Sequence, residues 1–318
     1  MKLTILAVGH KLPDWVAAGC SEYIKRMPRE LPLTVLEIKP EPRGTKTREQ
    51  LLSAEKTRLQ AALQGFSRIV VLDERGEDLT TLKLAQRLES WMREGGDTAF
   101  IILCTALVAL MTPGLALFYG GLVRSRDMLT IMMQNFISMG IVTLVWVLGG
   151  FSLAFGKDIA GLIGDFRYFA MIGIGMAPHP TYAPSIPFIM VFAYQMMFAI
   201  ITPALITGAF AGRFRFSSYL WFIALWTLVV YIPVAHWIWG GGFLGKLGVI
   251  DFAGGIVVHT TAGFAALATA IFLGRRTLSP NDPPRPANIP LVAVGTGLLW
   301  FGWFGFNAGG AYAANQLA

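Results

Sequence analysis

The scarcity of charged residues after position 98 limits what most of this chain can fold into. Residues 99–318 contain 10 Lys or Arg and 5 Asp or Glu. About a quarter of the residues in an ordinary soluble domain are charged. A segment with so few charges cannot cover its surface in water, so we predict that residues 99–318 lie in a membrane.

Residues 1–98 have the composition of a soluble domain, with 16 Lys or Arg and 14 Asp or Glu. Apolar strand-like runs at 3–9, 33–38 and 68–72 alternate with amphipathic helical patterns at 13–26, 50–63 and 82–91. Strands separated by helices imply an α/β unit with a parallel sheet. The predicted fold is a partial α/β segment at 1–98 followed by an all-α membrane bundle at 99–318.

Six uncharged segments each have at least the roughly 20 residues that a helix needs to cross the bilayer core. They lie at 99–123, 128–156, 186–212, 216–239, 252–274 and 288–314. The loops after the first, third and fifth segments hold seven Arg, against three basic residues in the loops between the others. This asymmetry places the odd loops in the cytoplasm and predicts a multi-pass protein of the plasma or inner membrane.

One predicted span begins with a regular polar pattern. Asp251, Gly255, His259 and Gly263 recur every four residues and therefore share one helix face. His259 is either a packed histidine or a pore residue, and we favour the pore because polar side chains inside membranes usually line pathways. Asp251 is either a helix N-cap or an electrostatic group near a pore entrance.

Aromatic residues form a second pattern near the ends of the later spans. These residues are Trp237, Trp239, Trp300, Phe301, Trp303, Phe304 and Phe306. An interfacial aromatic belt explains some of them. A cation-binding cage is the alternative, since an ammonium ion over a Trp face gains about 1–2 kcal/mol when desolvated. Composition leaves both interpretations open.

Four segments resemble, in order and spacing, the signature motifs of the ammonium transporter (Amt/Mep/Rh) family. They are MTPGLALFYGGLVR (111–124), AHWIWGGG (235–242), DFAGGIVVHTTAG (251–263) and WFGWFGFNAGG (300–310). The resemblance implies a transporter rather than an enzyme, with ammonium or ammonia and the lipid bilayer as partners. It also implies no cofactor, and a homotrimer where the pore is complete.

The resemblance also implies residue roles. Substrate recruitment falls to Trp239, Tyr194, Phe198 and Asp251. The gate and pore residues are Phe198, Phe306, His259 and Trp303, with His259 the first of two pore histidines. Gly310 occupies a position where the family often has Ser. The family has eleven spans arranged as inverted repeats plus a last helix. Because six are present here and the second histidine belongs to the other half, we expect the chain alone not to conduct.

The segments AVGHKLPDWVAAGCSEYIKRMP (7–28) and RIVVLDERGEDL (68–79) resemble the RlmH family of SPOUT methyltransferases. That family methylates a pseudouridine of 23S ribosomal RNA with S-adenosylmethionine, which it binds in a C-terminal knot. Only Leu72 matches a wall of that pocket, so we expect neither cofactor nor nucleic acid binding. The alternative is an active methyltransferase with a membrane tail. Residues 95–102 fit both families, which suggests a recombination or sequence-assembly chimera.

Overall fold

The computed structural model describes residues 2–9, 13–29, 31–42, 44, 46–64, 66, 69–71, 75–276 and 285–318, without the side chains of residues 93 and 94. Packing divides the chain into two compact units, Met1–Gln86 and Arg87–Ala318. The sequence places the boundary at residues 98 and 99, where the uncharged segments begin.

The first unit contains a parallel pair of strands. Strand β1 (Leu3–Val8) lies beside β2 (Leu33–Ile38), with Leu3 opposite Leu33. Helix α1 (Asp14–Lys25) forms the crossover that a parallel pair requires. Helix α2 (Arg48–Ala62) follows and begins with a capping box formed by Thr47 and Gln50. These elements confirm the predicted small α/β segment.

The third strand predicted at 68–72 is not found in the residues that the structure describes. Ile69, Val70 and Val71 lie outside any strand and are exposed, while Arg68 and Leu72 are outside the described residues. A sheet generally needs three or more strands, or a packed helix, to be stable by itself. The apolar side chains of Ile5, Val8 and Leu36 are 40–45% exposed.

Six helices among the described residues are long and apolar enough to cross a membrane, and all but residues 81–86 of the first lie in the second unit. They are Thr81–Leu122, Ser125–Phe155, Phe188–Phe210, Phe216–Lys246, Gly255–Leu273 and Ile289–Ala311. We call them the first to sixth spans. They confirm the predicted helical membrane bundle, and the chain is a multi-pass membrane protein.

Residues 95–102, which fit both families in sequence, lie inside the helix of the first span. The helix predicted at 82–91 and the span predicted at 99–123 form one continuous helix of 42 residues. Gly95 and Gly96 lie inside it, at a cost of roughly 1 kcal/mol each relative to Ala. That cost is small beside the packing that stabilises a helix of this length.

The third span forms the centre of the second unit. It packs against the second and fifth spans, and 67% of its most apolar window is buried. The corresponding fractions are 17% for the fifth span and 22% for the sixth. These two helices therefore present broad apolar faces that the described residues leave open.

Three spans contain a wider π-helical turn, at Trp146–Gly150, Thr227–Tyr231 and Gly255–Thr260. Such turns often occur at functional sites because they redirect side chains. The connection between the second and third spans also has structure that the sequence did not predict. Asp158–Ile159 pairs with Ile163–Gly164, and Pro178–His179 pairs with Ala183–Pro187.

Candidate functional site: an aromatic series leading to His259

Two stacked phenylalanines form the middle of the site. Phe198 comes from the third span and Phe306 from the sixth, and their ring centroids are 4.2 Å apart with an interplanar angle of 28°. Both side chains are almost fully buried. Carbon atoms in contact are about 3.5–4.0 Å apart, so nothing fits between the rings unless one of them moves.

Two further aromatic rings contact Phe198. Tyr194 precedes it by one helical turn, and the two ring centroids are 4.9 Å apart. The Trp239 ring stands edge-on to Phe198, at 6.0 Å and 89°. The indole N–H of Trp239 donates to the backbone carbonyl of Asp251 at 2.7 Å, which fixes the position of the ring.

His259 lies beyond the stacked pair. Its ring is nearly parallel to that of Trp303, with centroids 5.8 Å apart, and 6.0 Å from that of Phe306. A cavity of about 180 Å³ opens beside these three residues and has an almost entirely apolar lining. The remaining lining residues are Met111, Leu115, Phe118, Tyr119, Ile201, Leu205, Val258 and Leu299.

Asp251 caps the fifth span with both carboxylate oxygens. Oδ1 accepts from the backbone N–H groups of Gly254 and Gly255, at 2.7 and 2.8 Å. Oδ2 accepts from those of Ile256 and Val257, both at 2.8 Å. The carboxylate therefore satisfies four N–H groups that a helix start leaves unpaired. Its predicted part in substrate recruitment stays a prediction.

The Gly309–Gly310 pair allows close packing at the end of the sixth span. A Cβ atom on Gly309 would lie 2.5 Å from the Tyr194 hydroxyl, and one on Gly310 would lie 2.5 Å from the carbonyl oxygen of Phe252. No side chain fits at Gly310 unless the backbone shifts.

Sequence reasoning missed two residues beside Tyr194. The side-chain amide of Gln195 donates through Nε2 to the hydroxyl of Tyr312 at 2.6 Å. The Tyr312 ring packs against that of Tyr194, with centroids 5.6 Å apart. A glutamine in an uncharged span was the available signal, because a buried polar group in a membrane requires an explanation.

A cluster of three polar side chains, His236, Asp158 and Lys246, joins the ends of the second and fourth spans. Nδ1 of the fully buried His236 lies 2.8 Å from the carbonyl oxygen of Ala154, and its Nε2 lies 2.9 Å from Oδ1 of Asp158. Lys246 donates to Oδ2 of Asp158 at 2.5 Å. The hydrogen bonds from His236 and then Lys246 lower the pKa of Asp158 to about 2.

This polar cluster borders an open cavity of about 570 Å³ whose lining includes Lys157, Asp158, Tyr182, Trp239 and Lys246. The neighbouring glycines explain the AHWIWGGG motif. A Cβ atom on Gly240 would lie 1.9 Å from the carbonyl oxygen of Ala154, so no other residue fits there.

The structure thus brings seven of the predicted site residues into one contact series. They are Trp239, Tyr194, Phe198, Asp251, Phe306, Trp303 and His259. Leu72, the weak cofactor candidate, lies outside the described residues.

Comparison with known sequence families gives two matches. The model described as Ammonium Transporter Family matches residues 99–318. The model described as Predicted SPOUT methyltransferase matches residues 1–105. The two matched regions meet inside the first span.

Individual relatives agree with the first match. An ammonium transporter of Aquifex aeolicus is 50% identical over 70% of this chain and 52% of its own length, and one of Bacillus subtilis is 48% identical over 70% and 54%. The crystal structure of Candida albicans Mep2 matches with a TM-score of 0.63 and 35% identity, over 69% of this chain and 49% of Mep2. The chain spans about half the length of the relatives it matches.

Proposed function

We propose that this chain, which belongs to the ammonium transporter family, forms one wall of a pathway for ammonium or ammonia across the cell membrane. The family model covers residues 99–318, more than half of the chain. The observation that carries the proposal is the contact series from Trp239 through Phe198, Phe306 and Trp303 to His259. It joins the predicted outer end of the bundle to a histidine on the open face of the fifth span.

Each part of the series fits a step in cation transfer. Aromatic faces attract a desolvated ammonium ion by about 1–2 kcal/mol each, and Trp239, Tyr194 and Phe198 lie together at the start. The Phe198–Phe306 stack closes the path behind them until a ring moves. His259 then supplies a polar group beside an apolar cavity.

The open faces of the fifth and sixth spans support the view that this wall faces further helices. The His259 side chain is exposed, as are the apolar side chains of Phe264, Leu267 and Trp300. A polar side chain facing lipid is costly, so we infer that this face packs against a second set of spans, as in the inverted repeats of the family. Assembly into trimers belongs to the same proposal.

We also propose that residues 1–98 have no methyltransferase activity and hold no S-adenosylmethionine. The described part of this segment supports the proposal, because its strands form a two-stranded sheet with exposed apolar side chains and enclose no pocket. The alternative, an active 23S ribosomal RNA methyltransferase, is favoured only by the match of residues 1–105.

Methylammonium uptake in a host without its own ammonium transporters tests the proposal. The chain would be expressed alone and also joined to the remaining spans of the Aquifex aeolicus relative. We expect uptake only from the joined protein, because it covers the face that carries His259. Uptake by neither protein, with both inserted in the membrane, would contradict the proposal. Uptake by the chain alone would contradict the claim that the chain forms only one wall of the pathway.

A further inference from the structure

The side chain of Gln195 holds an unused hydrogen-bond acceptor, and its amide is bonded to Tyr312, whose ring contacts Tyr194 of the aromatic series. Gln195 is 6% exposed and directly follows Tyr194 in the third span. Its Nε2 donates to Tyr312, but its Oε1 is buried without a hydrogen-bond partner among the residues that the structure describes. Buried acceptors of this kind are uncommon and call for a donor.

The orientation of the amide supports this assignment. If the amide were reversed, Oε1 would accept from the Tyr312 hydroxyl, but the whole NH₂ group would then be buried without a partner. The observed orientation keeps the NH₂ group bonded and leaves an oxygen free. The missing partner must therefore be a donor.

Three other polar groups around the aromatic rings are already in use. The indole N–H of Trp239 donates to the carbonyl of Asp251. The Asp251 carboxylate accepts four backbone N–H groups. The Tyr194 hydroxyl donates to the carbonyl of Phe306 at 2.8 Å. Among these groups and Gln195, Oε1 of Gln195 is the acceptor left for a ligand.

We propose that Oε1 of Gln195 is a specificity-determining acceptor for ammonium, and that Tyr312 is the positioning residue that holds its amide. The inference rests on the proposed function and deepens it. An ammonium ion has N–H donors and no acceptor, so it complements a free carbonyl oxygen beside aromatic faces. The ligand class is small cations with at least one N–H group. An alkali cation of similar size is attracted to a carbonyl oxygen by ion–dipole forces alone and donates no hydrogen bond to it.

Tyr312 links the amide to the aromatic rings. Its hydroxyl accepts from Gln195 while its ring contacts the Tyr194 ring, which in turn contacts Phe198. Removing the hydroxyl would free the amide to rotate without removing the acceptor. Loss of Tyr312 should therefore cost less affinity than loss of Gln195.

Calorimetric binding to the full chain in lipid nanodiscs tests this inference, with ammonium, methylammonium and caesium chlorides as ligands. We expect Gln195→Met to weaken binding of both N–H cations about tenfold or more, as for a lost hydrogen bond to a charged group. Caesium binding should weaken less, because caesium donates no hydrogen bond to the lost oxygen. Tyr312→Phe should weaken ammonium binding about two- to fivefold, since the acceptor remains but loses its orientation.

Two controls separate the possible failures. Asn135→Leu removes another buried amide whose Oδ1 lacks a partner, on the second span, and should not change ammonium binding. Trp239→Leu should weaken ammonium binding about five- to thirtyfold if the aromatic series recruits the cation, as for the loss of one cation–π contact. No ammonium binding by the parent chain would overturn both this inference and the recruitment step of the proposed function.

A parent that binds ammonium, with weakened binding in Trp239→Leu but full affinity in Gln195→Met, would overturn the role of Gln195 alone. If Gln195→Met does not purify as a folded protein, Tyr312→Phe decides. Unchanged ammonium affinity in folded Tyr312→Phe would then overturn the inference, and a selective loss for N–H cations would support it.

Discussion

Arg213 and Arg276 each bind a backbone carbonyl at the end of the other's helix. Nη1 of Arg213, after the third span, donates to the carbonyl of Gly274 at 2.7 Å. Nη2 of Arg276, after the fifth span, donates to the carbonyl of Ala211 at 2.7 Å. Cations at helix C-termini also interact favourably with the helix dipole. The exchange therefore fixes the ends of the two spans that carry Phe198 and His259.

This exchange predicts coupled effects on stability. Arg213→Met and Arg276→Met should each lower the free energy of unfolding by about 1 kcal/mol, the typical value of one net hydrogen bond. Because both contacts join the same two helix ends, the double variant should lose less than the sum of the single variants. Denaturant unfolding in detergent measures the three values. Arg275→Met, at the exposed neighbouring position, is the control and should have little effect. If the losses of the two single variants add up to that of the double variant, the two contacts do not stabilise each other.

A second prediction concerns pH and the ends of the second and fourth spans, where Asp158 meets His236 and Lys246. The pKa of Asp158 in the folded chain is about 2, below its ordinary value of 3.8. A lowered carboxyl pKa contributes stability above the unfolded-state value, and that contribution is lost as pH falls through the folded-state value. Asp158→Asn should thus lower the apparent Tm by about 2–4 °C at pH 7, which corresponds to about 1 kcal/mol.

The Tm difference between the parent and Asp158→Asn should shrink between about pH 4 and pH 2, as the parent carboxylate takes up a proton. Asp165→Asn tests specificity, since hydrogen bonds from Arg167 lower the pKa of that partly buried carboxylate within its own loop. A Tm difference for Asp158→Asn that stays constant from pH 7 to pH 2 would show that the carboxylate charge contributes nothing.

A third prediction concerns the N-cap of the fifth span. Asp251→Asn leaves one carbonyl oxygen where two oxygens accepted four N–H groups, so two of those groups lose their partner. We expect the helix start to fray and Trp239, bonded to the backbone carbonyl of residue 251, to move. The tryptophan emission spectrum should shift relative to the parent. A Trp239→Phe reference identifies the part of the spectrum that comes from Trp239. If that part is unchanged in Asp251→Asn, the N-cap does not hold Trp239 in place.

The uncharged segments were sufficient to predict the six spans, because long apolar helices follow from bilayer thickness and backbone hydrogen bonding. They could not reveal the continuous helix through Gly95 and Gly96, where two glycines look like a break. The strand predicted at 68–72 is absent from its described residues, 69–71. A short apolar run forms a strand only when a neighbouring strand pairs with it. Local pattern does not specify that neighbour.

Only the site residues that belong to a recognisable sequence motif could be predicted. His259 and Asp251 stood out because polar residues in an apolar run are conspicuous. The contact between Gln195 and Tyr312 joins residues 117 positions apart, and that between His236 and Asp158 joins residues 78 positions apart. No spacing rule links such residues. Only the packing of the spans brings them together.

A fourth prediction concerns residues 1–98 alone. Calorimetry should detect no heat of S-adenosylmethionine binding, because the described strands form no closed pocket. The isolated segment should also bind a hydrophobic dye, since Ile5, Val8 and Leu36 are exposed. An intact RlmH-type enzyme is the positive control. Binding of S-adenosylmethionine at micromolar concentration would contradict the proposed inactivity.

The central claim is that His259 lines an ammonium pathway, and methylammonium uptake by the joined protein tests it most directly. His259→Ala should reduce uptake about tenfold or more, by removal of a polar group that acts in transfer, while membrane insertion stays unchanged. Gly140→Ala is the control, because Gly140 lies on the second span, away from the face of His259, and a Cβ atom there meets nothing within 4 Å; it should transport like the parent. Parent-level uptake in His259→Ala would contradict the claim and make His259 a packing residue.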